Sequence, residues 1–579
     1  MKRSIPVTLA IACSAGFSFA FAVAAVAEGD SPIFATNERV REGRSTPPRK
    51  SGQSPVAATP QPDHSRVPGV VVAHSPQASG IYIGSPGIVI LPDKTYLAKH
   101  DEFGPRSTER SSAVSHVYRS TDRGRSWEHL ARVDGLFWAN IFHHRGAVYM
   151  MGTSAGHTRG HCVIRRSTDG GRTWTTAEDE NTGLLFPDIS YHTAPMPVVI
   201  HNGRIWRAME DEKTGGGWGH SFRAFMMSAP ADADLLAASN WTSSNAISRD
   251  PDWLGGQFRG WLEGNAVVDP DGRIVNILRV NVEGPSRIAG KAALVRVSDD
   301  GQTATFDTGT GFIDLPGAAK KFTIRYDPKS KAYWALTNPV MGHTELNAGS
   351  VRNTLALLRS EDLMTWEKRC ILLHHPDVVY HAFQYPDWVF DGDDIAAAIR
   401  TAYDDGIGGA RRGHDANYLT FHRFENVREL TLADSVVHPD DIGPGRPAKA
   451  DLGAVVVEGR GFTVETLRNG AVSFANRKYI WEDVPEKLAG WRYTQTAGGA
   501  NPRVRATVKR DTVLYLATAT CQPTIDTRGW APEPELTFGY TDGGRTRMEV
   551  FRRAVRAGEQ VELPQGNWTG GVLLAPPEE

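Results

Sequence analysis

Cysteine is scarce in this chain: 4 in 579 residues, at positions 13, 162, 370 and 521, all far apart. That spacing excludes a disulfide scaffold and offers no close pair of metal-ligating thiols; Cys162, Cys370 and Cys521 read as small buried hydrophobes. A surplus of either charge sign is also missing. The 64 Lys and Arg against 66 Asp and Glu leave a net charge of −2, so no overall field draws nucleic acid or an anionic membrane, and nucleic acid is excluded as a partner. Beyond Ala27 no apolar run approaches the roughly 18 to 20 residues that span a bilayer. Long helical periodicities are few as well, whereas 58 Gly and 35 Pro mark many turns.

What is present begins at the amino terminus. Lys2 and Arg3 precede an Ala-rich apolar run from Ile5 to Ala24, and Ala25-Val26-Ala27 offers small residues for cleavage before Glu28. This predicts a signal peptide over residues 1–27, hence a secreted or periplasmic protein with no membrane insertion after cleavage. Residues 28–67 mix Pro, Ser, Thr, Gln and charge without apolar periodicity, which predicts a disordered leader. From 68 to 435 six stretches share the order apolar run, polar turn, apolar run: GIVILPDKTYLA, ANIFHHRGAVYMMG, MPVVIHNGRIWRAM, NAVVDPDGRIVNIL, FTIRYDPKSKAYWAL and PDWVFDGDDIAAAI. Their turns recur at intervals of 52 to 69 residues, the period of a four-stranded propeller blade, which buries both faces only when its neighbours stack on it. The expected fold is therefore all-β: a six-bladed β-propeller, with a seventh blade near Val70 left open. Past Val436 the period stops, and alternating runs such as VLYLATAT predict a smaller β-sandwich over 436–579.

A nine-residue loop punctuates the first two units, RSTDRGRSW at Arg119–Trp127 and RSTDGGRTW at Arg166–Trp174, with weaker versions later, such as RSEDLMTW. Asp and Ser bond nearby backbone amides, Gly permits positive φ, and the Trp anchors the turn. These strings match the Asp-box SxDxGxTW of BNR repeats, and from about Ser85 to Leu430 the chain resembles the sialidase-like propellers. In that resemblance WLEGNAVVDPDGRIVNILRV supplies an acidic residue, Glu263, and a carboxylate-binding Arg279. Arg352 matches a second clamp arginine, and Tyr385 in FQYPDWVF stands where a sialidase has its nucleophilic tyrosine. The first unit departs from the pattern: Ser85 occupies the place of a third arginine, which implies a different acidic sugar such as a uronic acid.

KHDEFGP at Lys99–Pro105, YHTAPMPVV, HNGRIWRAMED and HAFQYPDW resemble a narrower group containing α-L-rhamnosidases that act on rhamnose linked to glucuronic acid, and ulvan lyases. The twofold resemblance implies catalytic roles for His100, Asp101, His192, Glu263 and Tyr385; where its narrower part governs, His100 leads and Glu263, Tyr385 and the arginines serve binding. It implies sugar contacts from Arg207, Arg279, Arg352, His381 and Trp388. The chemistry is coherent, since a phenol needs a neighbouring carboxylate to take its proton, a near-neutral imidazole suits general acid or base work, and a guanidinium fork pairs a carboxylate through two hydrogen bonds. The expected protein is an exo-acting glycoside hydrolase on an acidic oligosaccharide or polysaccharide. A uronate-cleaving polysaccharide lyase and a non-catalytic glycan-binding propeller are the alternatives. No cofactor is required, and a structural metal ion is left open because His414, Asp415, Asp404 and Asp405 cluster in sequence without a spacing that selects an ion.

Overall fold

A computed structural model describes residues 61–577 apart from 215–216, 284–289, 342–346, 438–446, 476, 499–501, 521–524 and 543. The predicted signal peptide, most of the predicted leader and Cys521 lie outside the described residues; Cys162 and Cys370 are free and buried. No helix among the described residues is long and apolar enough to cross a membrane.

The described residues are nearly all β. Between Val70 and Phe424 they form six antiparallel sheets in succession, each opened by an inner strand: Tyr82–Ile90, Phe137–His144, the pair Tyr191–His192 with Val199–His201, Phe258–Val268, Thr323–Asp327 and Ala382–Asp391. Their alternating aliphatic residues pack between sheets. Val89, Leu97 and Val117 of sheet one meet Ile141, Val148 and Met150 of sheet two, and Ile83, Ile88 and Ala98 of sheet one meet Ala396, Ala398 and Leu419 of sheet six. Polar contacts run around the same circuit. Lys99 donates to the Ala139 carbonyl, Gly264 N to Glu210, Ile324 N to Asn265, Thr323 to the Pro386 carbonyl and Ile88 N to Asp387. Since the sixth sheet touches the first, the sheets close into a ring, and the inner strands face a shared axis as in a propeller.

Val70–His74, where a seventh sheet was left open, instead pairs with Tyr418–Phe424 as the outer strand of sheet six. The leader's last residues are held there too: Asp63 N donates to the Asp405 carbonyl at 2.8 Å, and His64 lies 3.1 Å from the Tyr418 hydroxyl.

The nine-residue loops have the bonding their composition calls for. In the first, Gly124 N donates to Ser120 Oγ, Ser126 N to Asp122, and Trp127 Nε1 to the Gly124 carbonyl at 3.1 Å. Ser167, Asp169, Gly171 and Trp174 repeat this, as do Ser360, Leu363 and Trp366, where Leu363 takes the positive φ that glycine has elsewhere. Gly124 has φ +86°, and a Cβ there would stand 2.2 Å from the Phe421 ring of sheet six. Gly124→Ala is accordingly expected to cost about 2 kcal/mol, read as a fall in the thermal unfolding midpoint. An unchanged midpoint would show that the ring turns aside without penalty.

Beyond sheet six, a four-stranded sheet (Pro447–Asp451, Val455–Arg460, Val504–Val508, Gln560–Glu562) faces an eight-stranded one that includes Phe462–Thr466, Thr512–Ala519 and Val572–Ala575. Val455, Val457 and Val504 of the first pack against Phe462, Leu514, Leu516 and Leu573 of the second, the two-layer arrangement that their alternation predicts.

Candidate active site

The inner strands of four sheets are broken near their starts by a β-bulge, and in each the extra residue is a non-glycine with positive φ. These are Ser85 (36°), Trp138 (52°), Glu263 (34°) and Tyr385 (53°). Such conformations cost about 1–3 kcal/mol each and persist where surrounding contacts enforce them; a bulge also re-aims the side chain. Sheet three interrupts its inner strand between His192 and Val199. In sheet five Lys320 and Lys321 precede the strand. The six irregularities bring together groups far apart in sequence.

Tyr385 and Glu263, 122 residues apart, meet with the phenol donating to Glu263 Oε1 at 2.8 Å. Arg279 donates to the other carboxylate oxygen at 2.8 Å. Arg352 and Arg400 stand 5.5 and 5.3 Å from the centre of the Tyr385 ring. Arg352 is fixed by the Gly349 carbonyl at 2.8 Å and by Gln384, Arg400 by the His414 carbonyl and by stacking 4.2 Å from Phe103. Lys320, buried, donates to the Ala348 carbonyl at 3.0 Å. The Nε atoms of Arg279 and Arg400 are buried without hydrogen-bond partners. Guanidinium donors thus outnumber the acceptors around Tyr385, an arrangement that an anionic ligand would complete.

Burial alone would raise the Glu263 carboxyl, but Arg279 and His192 outweigh it and hold it below the ordinary Glu value. Burial and Glu263 push the Tyr385 phenol up against the pull of the three arginines. Burial brings Arg400 down to about 9, still charged at neutral pH. Near neutrality the pair is therefore a carboxylate beside an intact phenol, with acceptor and donor already in place. If Glu263 is the base, the acid limb of kcat/KM should fall below the ordinary Glu value of about 4.3. A carboxyl lowered by folding stabilises the fold above its unfolded pKa and loses that contribution as pH drops through its folded value. Activity and stability should then fail together on acidification, and a limb near pH 6 would assign the base elsewhere.

Beneath this pair lies a row of buried charges that positions it. Asp101 accepts from Lys99 Nζ at 2.5 Å, from Ser115 Oγ at 2.5 Å and from Trp138 N at 2.7 Å, which pins the strained Trp138. Glu210 accepts from Gly264 N at 3.1 Å, beside the Glu263 bulge, and lies 3.0 Å from His192 Nδ1. The His192 ring stacks on Phe222 at 4.3 Å and meets Trp138 edge-on at 4.6 Å. Asp387 takes the Ile88 amide, and its field reaches Lys99, Arg207 and Lys321. Lys321 is drawn down to about 7 by burial.

Of the residues expected from the sequence, Tyr385, Glu263, Arg279 and Arg352 converge, and His192 adjoins them. Asp101 touches backbone and neighbouring side chains, so its contacts are those of a positioning group. Arg207 is fully buried and donates to the Ala208 and Ala194 carbonyls and to Thr193 Oγ1, bracing the gap in sheet three. Trp388, expected to meet sugar, is instead buried with its indole N–H on the Thr323 carbonyl, because the bulge at Tyr385-Pro386 resets the side-chain alternation. His100 is not brought to Tyr385 in its described contacts: its nitrogens lie 3.1 Å from the Asp101 carbonyl and 3.2 Å from the Tyr118 hydroxyl, and its ring stacks on His116. Lys99 and Asp101 face sheet two, and His100 takes the opposite face. His381 pairs with Asp377.

Arg400, Lys320, Gln384 and Glu210 were missed. Arg400 is the cross-strand partner of Gln384, directly before the tyrosine, just as Arg279 partners Leu262 directly before Glu263, and that repetition was the available signal. A cavity of about 280 Å³ opens over Arg279 and Arg352, lined also by Trp218, Asn281, Lys291 and Asn347; Trp218 is 43% exposed.

No family model and no curated protein matches the chain. Solved structures with similarity include an α-L-arabinanase of Penicillium chrysogenum complexed with arabinobiose, at 13% identity and a TM-score of 0.40 over 62% of this chain and 98% of that one. An α-L-arabinofuranosidase of Fusarium graminearum with arabinobiose gives 12% and 0.42 over the same shares. A sialidase of Trypanosoma rangeli gives 15% and 0.39 over 87% of this chain and 83% of that one.

Proposed function

We propose that the chain is a secreted or periplasmic glycoside hydrolase that removes a terminal sugar from an acidic glycan. Its frame is a six-bladed propeller over residues 68–435, followed by a β-sandwich accessory domain over 436–579. The observation that carries this reading is the Tyr385 hydroxyl held 2.8 Å from the Glu263 carboxylate beneath Arg279, Arg352 and Arg400. The arginines take the sugar carboxylate in paired hydrogen bonds. Arg400, from the second strand of sheet six, supplies the third guanidinium that Ser85 cannot.

With the sugar so held, Glu263 accepts the phenol proton while Tyr385 Oη attacks the anomeric carbon. The bond to the leaving oxygen breaks, and that oxygen takes a proton from solvent. A neutral phenol approaches an anionic sugar without the repulsion a carboxylate nucleophile would meet. Water then displaces the phenolate and gives up a proton to solvent, balancing the one taken by the leaving oxygen, while the phenolate regains its own proton from Glu263; two displacements retain the anomeric configuration. The exposed Trp218 at the cavity edge offers a stacking face for the ring.

The test is incubation with terminal-sialyl, terminal-rhamnosyl and ulvan-type oligosaccharides, with mass spectrometry of the products. A released terminal monosaccharide supports the proposal. An unsaturated uronate absorbing in the near ultraviolet would make the protein a lyase with Tyr385 as base. Binding without turnover would leave a glycan-binding propeller.

A further inference from the structure

Lys320 stands just before the inner strand of sheet five and is 1% exposed. Its Nζ donates to the Ala348 carbonyl at 3.0 Å, and among the described residues no carboxylate pairs with it. The charged groups that face it are Arg352 and Arg279. Glu263, the acid of the site, is committed elsewhere, with one oxygen on Arg279 and the other on Tyr385, each at 2.8 Å. Arg352 and Arg400 are bonded to carbonyls and to Gln384, not to a carboxylate. Two uncompensated guanidiniums are therefore already buried there, and a charged Lys320 would be a third cation without a counterion.

Charge in such a place is costly, and the groups differ in how they can respond. A guanidinium keeps its proton, whereas an ammonium can give one up and persist as a neutral amine that still donates a hydrogen bond. Burial, with Arg352 and Arg279 adding to it, holds Lys320 well below the ordinary lysine range. Lys321 is engaged elsewhere: its Nζ donates to the Pro386 carbonyl at 2.7 Å, where burial is opposed by the fields of Asp387 and Glu263.

The position of Lys320 ties it to the cavity. The turn Ala348–Ser350 receives both Lys320 Nζ, on the Ala348 carbonyl, and Arg352 Nε, on the Gly349 carbonyl at 2.8 Å. Gly349 lines the cavity that opens over Arg279 and Arg352, as does Ala319, the residue before Lys320. An anion held by those two guanidiniums sits beside the same turn and supplies the negative charge that Lys320 lacks.

We propose that Lys320 is a proton-linked cation of this pocket: it stands neutral in the free protein and takes a proton from solvent when the carboxylate of an acidic sugar settles on Arg279 and Arg352. The inference rests on the proposed reading of the site as a carboxylate clamp and adds to it a coupling between recognition and pH. A neutral sugar brings no negative charge and draws no proton. A complex that holds one proton more than its free components is favoured by acid, so the dissociation constant should rise about tenfold per pH unit over the range in which free Lys320 is neutral and bound Lys320 charged.

Calorimetry of the full chain with glucuronate, N-acetylneuraminate and, as the neutral control, glucose, in buffers of differing ionisation enthalpy, counts the protons. Uptake of about one proton per acid bound is expected near neutrality, and none with glucose. Lys320→Gln, which keeps a donor for the Ala348 carbonyl, should abolish the uptake and flatten the pH dependence of the dissociation constant. Lys320→Met makes the same test if the first variant does not fold, with thermal unfolding reporting on both. An acid that binds the parent without proton uptake, or uptake unchanged in the variants, would overturn the proposal and leave the clamp in place. If neither acid binds the parent, the clamp itself fails and this proposal with it.

Discussion

Tyr385→Phe is expected to lower kcat on a cleavable acidic oligosaccharide by about a thousandfold, with KM little changed. The variant loses one hydroxyl, so the 2.8 Å bond to Glu263 disappears while the ring stays between Arg352 and Arg400. Binding and fold should therefore survive, and the loss should sit in the chemical step. Glu263→Gln should match it closely, because a nucleophile and its proton acceptor act as a unit and their losses do not add. His100→Ala is the informative control. With its imidazole occupied by Tyr118 and the Asp101 carbonyl, it should stay within a few-fold of the parent. Turnover within tenfold of the parent for Tyr385→Phe, together with collapse for His100→Ala, would move the chemistry to the opposite face of the strand.

The second large effect concerns charge recognition. Arg352→Ala and Arg400→Ala should each raise KM for a substrate bearing a carboxylate by about a hundredfold, as expected when one partner of a buried, charge-assisted pair is removed. A neutral analogue of the same sugar should bind the variants as it binds the parent, which separates lost recognition from general damage. Arg279 is less suitable because it also neutralises buried Glu263, and its removal would leave an unpaired charge costing roughly 3–5 kcal/mol of stability. Equal losses on the charged and neutral sugars would dismiss the clamp.

The frame was legible in the sequence because its turns are chemically explicit. The Ser-Asp-Gly-Trp loops bond as their composition dictates, and apolar runs at blade spacing became sheets. The site was partly legible for the same reason. Glu263 and Tyr385 lie at inner-strand starts, where a residue and its context can be read directly. What escaped was set by ring closure. Glu210 of sheet three reaches the Gly264 amide of sheet four, and proximity across a ring has no signature along a chain. Trp388 was misplaced because its expected role came from the resemblance, whereas the bulge at Tyr385-Pro386 turns its side chain into the core. Ser85-Pro86 in sheet one carries the same pair of φ-restricting features, a repetition that could have exposed it. Lys320 and Lys321 were not singled out, although they stand just before an inner strand.

Pairing of Val70–His74 with Tyr418–Phe424 also governs the order in which this molecule can be made. The first strand among the described residues has no lateral partner until some 350 residues later have been synthesised, so the circle shuts from its two extremities at once rather than growing from one. Contacts of such long sequence separation slow folding, and during the wait both the leading strand and the final sheet present unmatched edges open to pairing with other chains. A version trimmed past His74 would carry such an edge permanently. It should form dimers or aggregates even though every residue proposed for catalysis is still present.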